Sequence, residues 1–131
     1  MRDREQAEIW IRRAQSNLAI ARQAKSQEVF LEDLCFEAQQ AAEKSLKALL
    51  ILLSEEYPRK HSFALLLEQL QDYVNIPEEI KEVIELSDYA VQTRYPGDYY
   101  PVSEEEYARA VELAQRVLSW AEHQVYQSDR S

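Results

Sequence analysis

A single glycine, Gly97, serves all 131 residues of this chain. Glycine most readily takes the positive φ of hairpin turns and many loops. With one glycine and four prolines, the chain has little turn material for an all-β or α/β fold. Its supply of Ala, Leu, Glu, Gln and Arg favours helix instead, so the composition predicts an all-α fold. Hydrophobic residues at 46% and charged residues at 30% are a globular balance. The length suits one domain with a real core.

The apolar spacing predicts five helices. The first runs from about Asp3 to Lys25, with Trp10, Ala14, Leu18 and Ala21 as its stripe. The second, about Val29 to Glu55, is the most apolar. Leu34, Ala38, Ala41, Ser45, Leu49 and Leu52 mark one face, and Cys35, Ala42, Leu46 and Leu53 widen it. So wide a stripe predicts a central helix, and its small residues invite close approach of another backbone. Tyr57-Pro58-Arg59-Lys60 breaks the pattern. A short third helix follows, with Ser62 at an N-cap position and Phe63, Leu66, Leu67 and Leu70 inward.

Asn75-Ile76-Pro77-Glu78-Glu79 starts the fourth helix, which carries Ile80, Val83, Ile84, Ala90 and Val91 inward. Ser103 and Glu106 have capping-box spacing ahead of the fifth. That helix runs to about Tyr126, with Tyr107, Ala110, Val111, Ala114, Val117, Leu118, Ala121 and Val125 inward. The expected architecture is an antiparallel up-and-down bundle of four main helices plus one short helix. It forms one domain over residues 1–131, with its core at about 3–126 and a fraying tail at 127–131.

The net charge of -9 disfavours general nucleic-acid binding, DNA included, although 15 Lys and Arg leave room for a local basic groove. Lone Cys35 excludes an internal disulfide and fits a reducing interior; placed mid-helix among apolar neighbours, it reads as inert packing. No apolar run approaches a membrane span, and the first residues have no signal-peptide pattern. The expected location is the cytoplasm. The two histidines, His61 and His123, lie in different elements without a Cys or His partner at ligand spacing. No metal or cofactor is expected, and no glycine-rich phosphate loop exists.

Two groups of residues remain as candidates for function. Gln39, Glu43 and Lys47 stand at i, i+4 and i+8 on the second helix, with Gln40 and Lys44 beside them. The favoured reading is a solvent-facing strip with a modest Glu43–Lys47 pair; the other is a polar patch inside a groove. The second group is the break from Thr93 to Pro101, which gathers Arg94, Gly97, two prolines and Tyr95, Tyr99 and Tyr100. Arg94 extends the α-helical register of Ile80, Val83, Ser87 and Ala90, which aims it inward. A guanidinium there needs a carboxylate (Glu43 is one candidate), backbone carbonyls or a bound anion. A structural clamp and a phosphate-binding or transition-state-stabilising arginine fit it equally well. The tyrosines either stack on a base or pack on the bundle.

The segments Ala38 to Leu50, His61-Ser62-Phe63 and Thr93-Arg94-Tyr95-Pro96, with the Trp10 helix, resemble the HEPN domain over roughly Asp3 to Val125. The resemblance implies a helical bundle, usually dimeric, often paired with a minimal nucleotidyltransferase in a toxin–antitoxin-like system. Active relatives are metal-independent ribonucleases whose motif is an arginine, four to six residues, then a histidine. In some, a tyrosine two places beyond that histidine is modified with adenylate. Here Arg94 takes the arginine position, while Tyr99, Tyr100 and Pro101 fall at the histidine spacings; Pro101 also falls where the modified tyrosine would stand. The resemblance thus implies a homodimer that binds nucleotide or RNA with a degenerate motif, leaning away from an enzyme. Its groove would be shaped by Arg94, Tyr95, Tyr99, Tyr100, Gln39, Glu43 and Lys47. The rival is an active endoribonuclease toxin using Arg94 with Tyr99 or Tyr100, and the third reading is a purely structural interaction module.

Overall fold

The computed structural model describes residues 2–23, 28–54, 62–87 and 102–127. Within them the fold is all-α. Three long helices, α1 (Arg2–Ala21), α2 (Leu31–Ser54) and α5 (Glu104–Gln127), are joined by shorter ones, α3 (Phe63–Leu70) and α4 (Glu78–Lys81). The last of these continues directly into a 3-10 segment, Glu82–Leu86.

Helix α2 is the centre, with α1 and α5 both packed along it. From Ala38 to Ile51 only Gln40 and Lys44 escape full burial. The small residues Ala38, Ala41, Ala42 and Ser45 are wholly buried, as close helix approach requires. Ser45 turns its hydroxyl back to donate to the Ala41 carbonyl at 2.7 Å, which satisfies it inside the core. The stripe of α1 is Ala7, Ile11, Ala14, Leu18 and Ala21. Trp10 stands on its flank, partly buried against the core.

Cross-helix contacts give the directions. Along α1, Trp10 meets Lys47, and Asn17 bonds both Lys44 and Glu37, so α1 and α2 run antiparallel. Gln15 meets Glu122, Arg22 meets Gln115, and the Tyr107 hydroxyl donates to the Ala21 carbonyl, so α1 and α5 are antiparallel too. Helices α2 and α5 are therefore parallel, with their N-termini at the same end.

Local signals are honoured at most helix starts. The backbone N–H of Ser103 donates to Glu106 at 3.2 Å, and that of Glu106 donates to the Ser103 hydroxyl at 3.0 Å, a complete capping box. Pro77 occupies the N-cap of α4 with Glu78 and Glu79 behind it. Ser62 holds the N-cap position of α3 in extended backbone, without a capping bond from its side chain.

The fourth helix departs from expectation. Its apolar spacing predicts one α-helix, but the chain tightens to 3-10 after one turn. With about three residues per turn, the buried positions become Ile80, Val83 and Leu86. Ile84, expected inward, is 46% exposed. Arginines of α5 clamp this segment: Arg109 pairs with Glu82 at 2.8 Å and Glu85 at 2.9 Å, and Arg116 pairs with Glu82 at 2.9 Å. Arg116 also donates to the Glu79 carbonyl at 2.8 Å.

Hydrogen bonds from Arg109 hold the carboxyls of Glu82 and Glu85 below their ordinary range. Their folded-state values being depressed, the stabilisation is present above the ordinary 4.5 and is lost as pH falls through the lower folded values. Arg109→Gln is therefore expected to flatten the fall of melting temperature between roughly pH 5 and pH 3. High salt should reproduce part of that effect, since these groups are exposed to screening. Melts recorded across that range in both proteins check it.

Candidate functional site

A helix packed against two long neighbours has few places to put polar side chains, and the row on α2 shows the result. Gln39, Glu43 and Lys47 are 5%, 6% and 5% exposed. The solvent-facing reading of this row is thus corrected. The two long neighbours enclose α2, and Trp10 of α1 lies over Lys47, its ring centroid 5.6 Å from the ammonium. The sequence carried a signal for this: four residues before Gln39 stands Cys35, and four after Lys47 stands Ile51, both apolar and buried. A row that begins and ends on apolar residues lies on an inner face.

The polar groups form a relay. The Gln40 amide donates to the Gln39 carbonyl oxygen at 3.1 Å, and the Gln39 amide donates to Glu43 Oε1 at 3.4 Å. Lys47 Nζ donates to the other carboxylate oxygen of Glu43 at 2.7 Å. Carboxylate and ammonium are thus held with little water around them, where desolvation offsets much of their attraction. Chemically the relay pairs a buried carboxylate with an ammonium, with an aromatic face over the cationic end. Beside it, Asn17 of α1 donates to Glu37 at 2.7 Å and accepts from Lys44 at 2.8 Å, which keys the register of the two helices.

At the N-terminal end of α2, buried Glu32 accepts a hydrogen bond from the Val102 N–H at 3.2 Å. Sequence reasoning missed Glu32, because a first-turn acid ordinarily serves its own helix. Next to it, Cys35 is pushed up to about 12 by burial first, and then by the negative charges of Glu32 and Glu106. The thiol stays protonated at neutral pH, in keeping with inert packing. His123 sits exposed on α5. Among the described residues no three His, Cys, Asp or Glu side chains gather as a metal would need, and no helix is long and apolar enough to cross a membrane.

Arg94, Tyr95, Tyr99, Tyr100 and Pro101 lie outside the described residues, as do His61, Lys25, Ala90 and Val91 and the break at 57–60. Within the described residues Leu86 is the buried continuation of Ile80 and Val83, and Ser87 is half-buried; the Ala90 and Arg94 positions of the expected register lie outside them.

The model of the HEPN domain fits residues 7–124. The chain belongs to the HEPN family. Among solved structures, this HEPN chain is similar to TT1696 from Thermus thermophilus, with 32% identity and a TM-score of 0.78 over 89% of this chain and 96% of that one. It is also similar to ST0689, an archaeal HEPN homologue, with 32% identity and a TM-score of 0.71 over 91% and 97%. No curated protein matches it. The family resemblance read from Ala38 to Leu50, His61-Ser62-Phe63, Thr93-Arg94-Tyr95-Pro96 and the Trp10 helix is therefore correct.

Proposed function

We propose that this HEPN protein acts in the cytoplasm as a homodimer that binds the phosphates of RNA or of a nucleotide through Arg94 without cutting RNA. We propose further that it partners a minimal nucleotidyltransferase in a toxin–antitoxin-like pair. One observation carries the reading: a HEPN chain keeps Arg94 but has Tyr99, Tyr100 and Pro101 where the ribonuclease motif would place histidine. Tyrosine, with an ordinary pKa of ~10, is a poor proton acceptor at neutral pH. The Gln39–Glu43–Lys47 relay lends support, since α2 keeps an ion pair where apolar residues would pack as well.

The test is binding of a labelled, 5′-phosphorylated single-stranded RNA by purified protein. Wild type is expected to bind the strand and leave it whole, and Arg94→Ala to lose binding by about tenfold or more, the scale of a lost charged hydrogen bond. Metal-independent cleavage that Arg94→Ala abolishes would replace this reading with the endoribonuclease working through Arg94 with Tyr99 or Tyr100. Failure to bind RNA, nucleotide or a co-expressed nucleotidyltransferase would leave a structural module. Light scattering at micromolar concentration is expected to show a dimer.

A further inference from the structure

Helix α1 turns one stripe to the core and another to water, and the outer stripe has an order of its own. Ile9 stands on it at 38% exposure, while Ile11 is fully buried. One exposed isoleucine is ordinary, but the polar groups around this one are paired by position. Glu5 and Arg12 are seven residues apart, about two turns of helix, and so share one flank of Ile9. Gln6 and Arg13 share the other flank in the same way. All four are exposed.

These groups also lack partners within the chain. Arg4, Arg22, Arg109 and Arg116 are each engaged by an acid or an amide. Glu8, one turn before Arg12, is taken by Arg4. Among the described residues, Glu5, Gln6, Arg12 and Arg13 make no side-chain hydrogen bond or ion pair. The stripe is also symmetric about Ile9, with Glu5 and Gln6 four and three residues before it, and Arg12 and Arg13 three and four after. A second α1 laid antiparallel across it, Ile9 on Ile9, sets Arg12 opposite the partner's Glu5 and Arg13 opposite the partner's Gln6. Two-fold symmetry makes each pairing twice. No arginine falls opposite another.

We infer that this face of α1 is an interface between two copies of the chain, packed antiparallel about Ile9. The inference rests on the homodimer proposed above and names the helix that forms it. A second copy fits better than an acidic partner, because the face already holds acceptors for both of its arginines. The overall charge agrees. At -9, two copies repel one another over most of their surface, whereas this patch sets two arginines beside one glutamate.

Ile9→Cys is the direct probe. Packed helix axes lie about 8–10 Å apart, which brings two cysteines on the symmetry axis within disulfide reach. Native Cys35 is fully buried and does not compete. Mild oxidation of Ile9→Cys is expected to give a covalent dimer. Ile20→Cys is the control, since Ile20 is as exposed, at 40%. Eleven residues along the helix from Ile9, its two copies would stand about 33 Å apart and are expected to stay unlinked.

Glu5→Arg sets an arginine against the partner's Arg12, and is expected to weaken dimerisation by about tenfold or more, read by light scattering over a dilution series. Arg12→Glu is expected to do the same, and the two together to restore the wild-type constant, because the charges have changed places. These positions are exposed, so each variant keeps its fold. Additive losses in the double variant would overturn the inference, as would linking at Ile20→Cys as fast as at Ile9→Cys. A dimer indifferent to every substitution would overturn it too, and leave the homodimer standing on another surface. A wild type that is monomeric at micromolar concentration would remove the face and the homodimer together, while RNA binding is still decided by its own assay.

Discussion

Lys47→Met lowers the free energy of unfolding by about 3 kcal/mol or more, the cost of stripping a buried carboxylate of its charged partner. Methionine follows the path of the lysine stem, so packing against Trp10 is largely kept and the loss is electrostatic. Glu43 then keeps its Gln39 bond at 3.4 Å but loses the ammonium at 2.7 Å. For a domain of this size the change corresponds to a fall in melting temperature of ~10 °C. In urea the midpoint should move with the slope unchanged. Glu43→Leu combined with Lys47→Met removes both charges and is expected to recover most of the loss, giving a coupling energy of a few kcal/mol in the double-mutant cycle. A loss in the single variant below about 1 kcal/mol, the value of a surface pair, would show that water reaches Glu43 freely.

Tyr99→His creates the ribonuclease spacing that the family resemblance describes, with four residues between it and Arg94. Metal-independent RNA cleavage is expected to rise by about 100-fold or more over wild type, the scale of a well-placed general acid–base. Gel analysis of labelled RNA with chelator present measures it. Adding Arg94→Ala should remove the gain, because the histidine needs the arginine to stabilise charge at the phosphate. If the histidine variant folds, dimerises, binds RNA and still does not cut, then more than the proton-transfer residue has been lost from this chain.

Both variants show how far residues alone could take the reading. The centrality of α2 was legible, since Ala38, Ala41, Ala42 and Ser45 interleaved with leucines are the pattern of a helix crowded on several sides. The Ser103–Glu106 box was legible because capping is local chemistry. The burial of Glu43 and Lys47 was not, because an i, i+4 ion pair looks the same on a wet face as on a dry one. Only what lies across from it tells them apart, here Trp10. The 3-10 turn at Glu82–Leu86 was hidden for a related reason: Ile80, Val83, Ile84 and Leu86 satisfy either period in part, and packing under Arg109 and Arg116 selects the tighter one. Glu32 was beyond reach, since its partner Val102 stands seventy positions away.

The parallel pairing of α2 with α5 also sets an order of events when the protein is made. Helices α1 and α2 follow one another and can form a hairpin early, but another face of α2 is closed by α5, whose residues are synthesised well after it. Until then α2 lacks the cover that α5 gives it. A growing chain in this condition exposes an apolar strip that other unfinished chains can bind. Slowed translation ahead of α5 would therefore lower the yield of folded protein, even though no residue of the finished fold had changed.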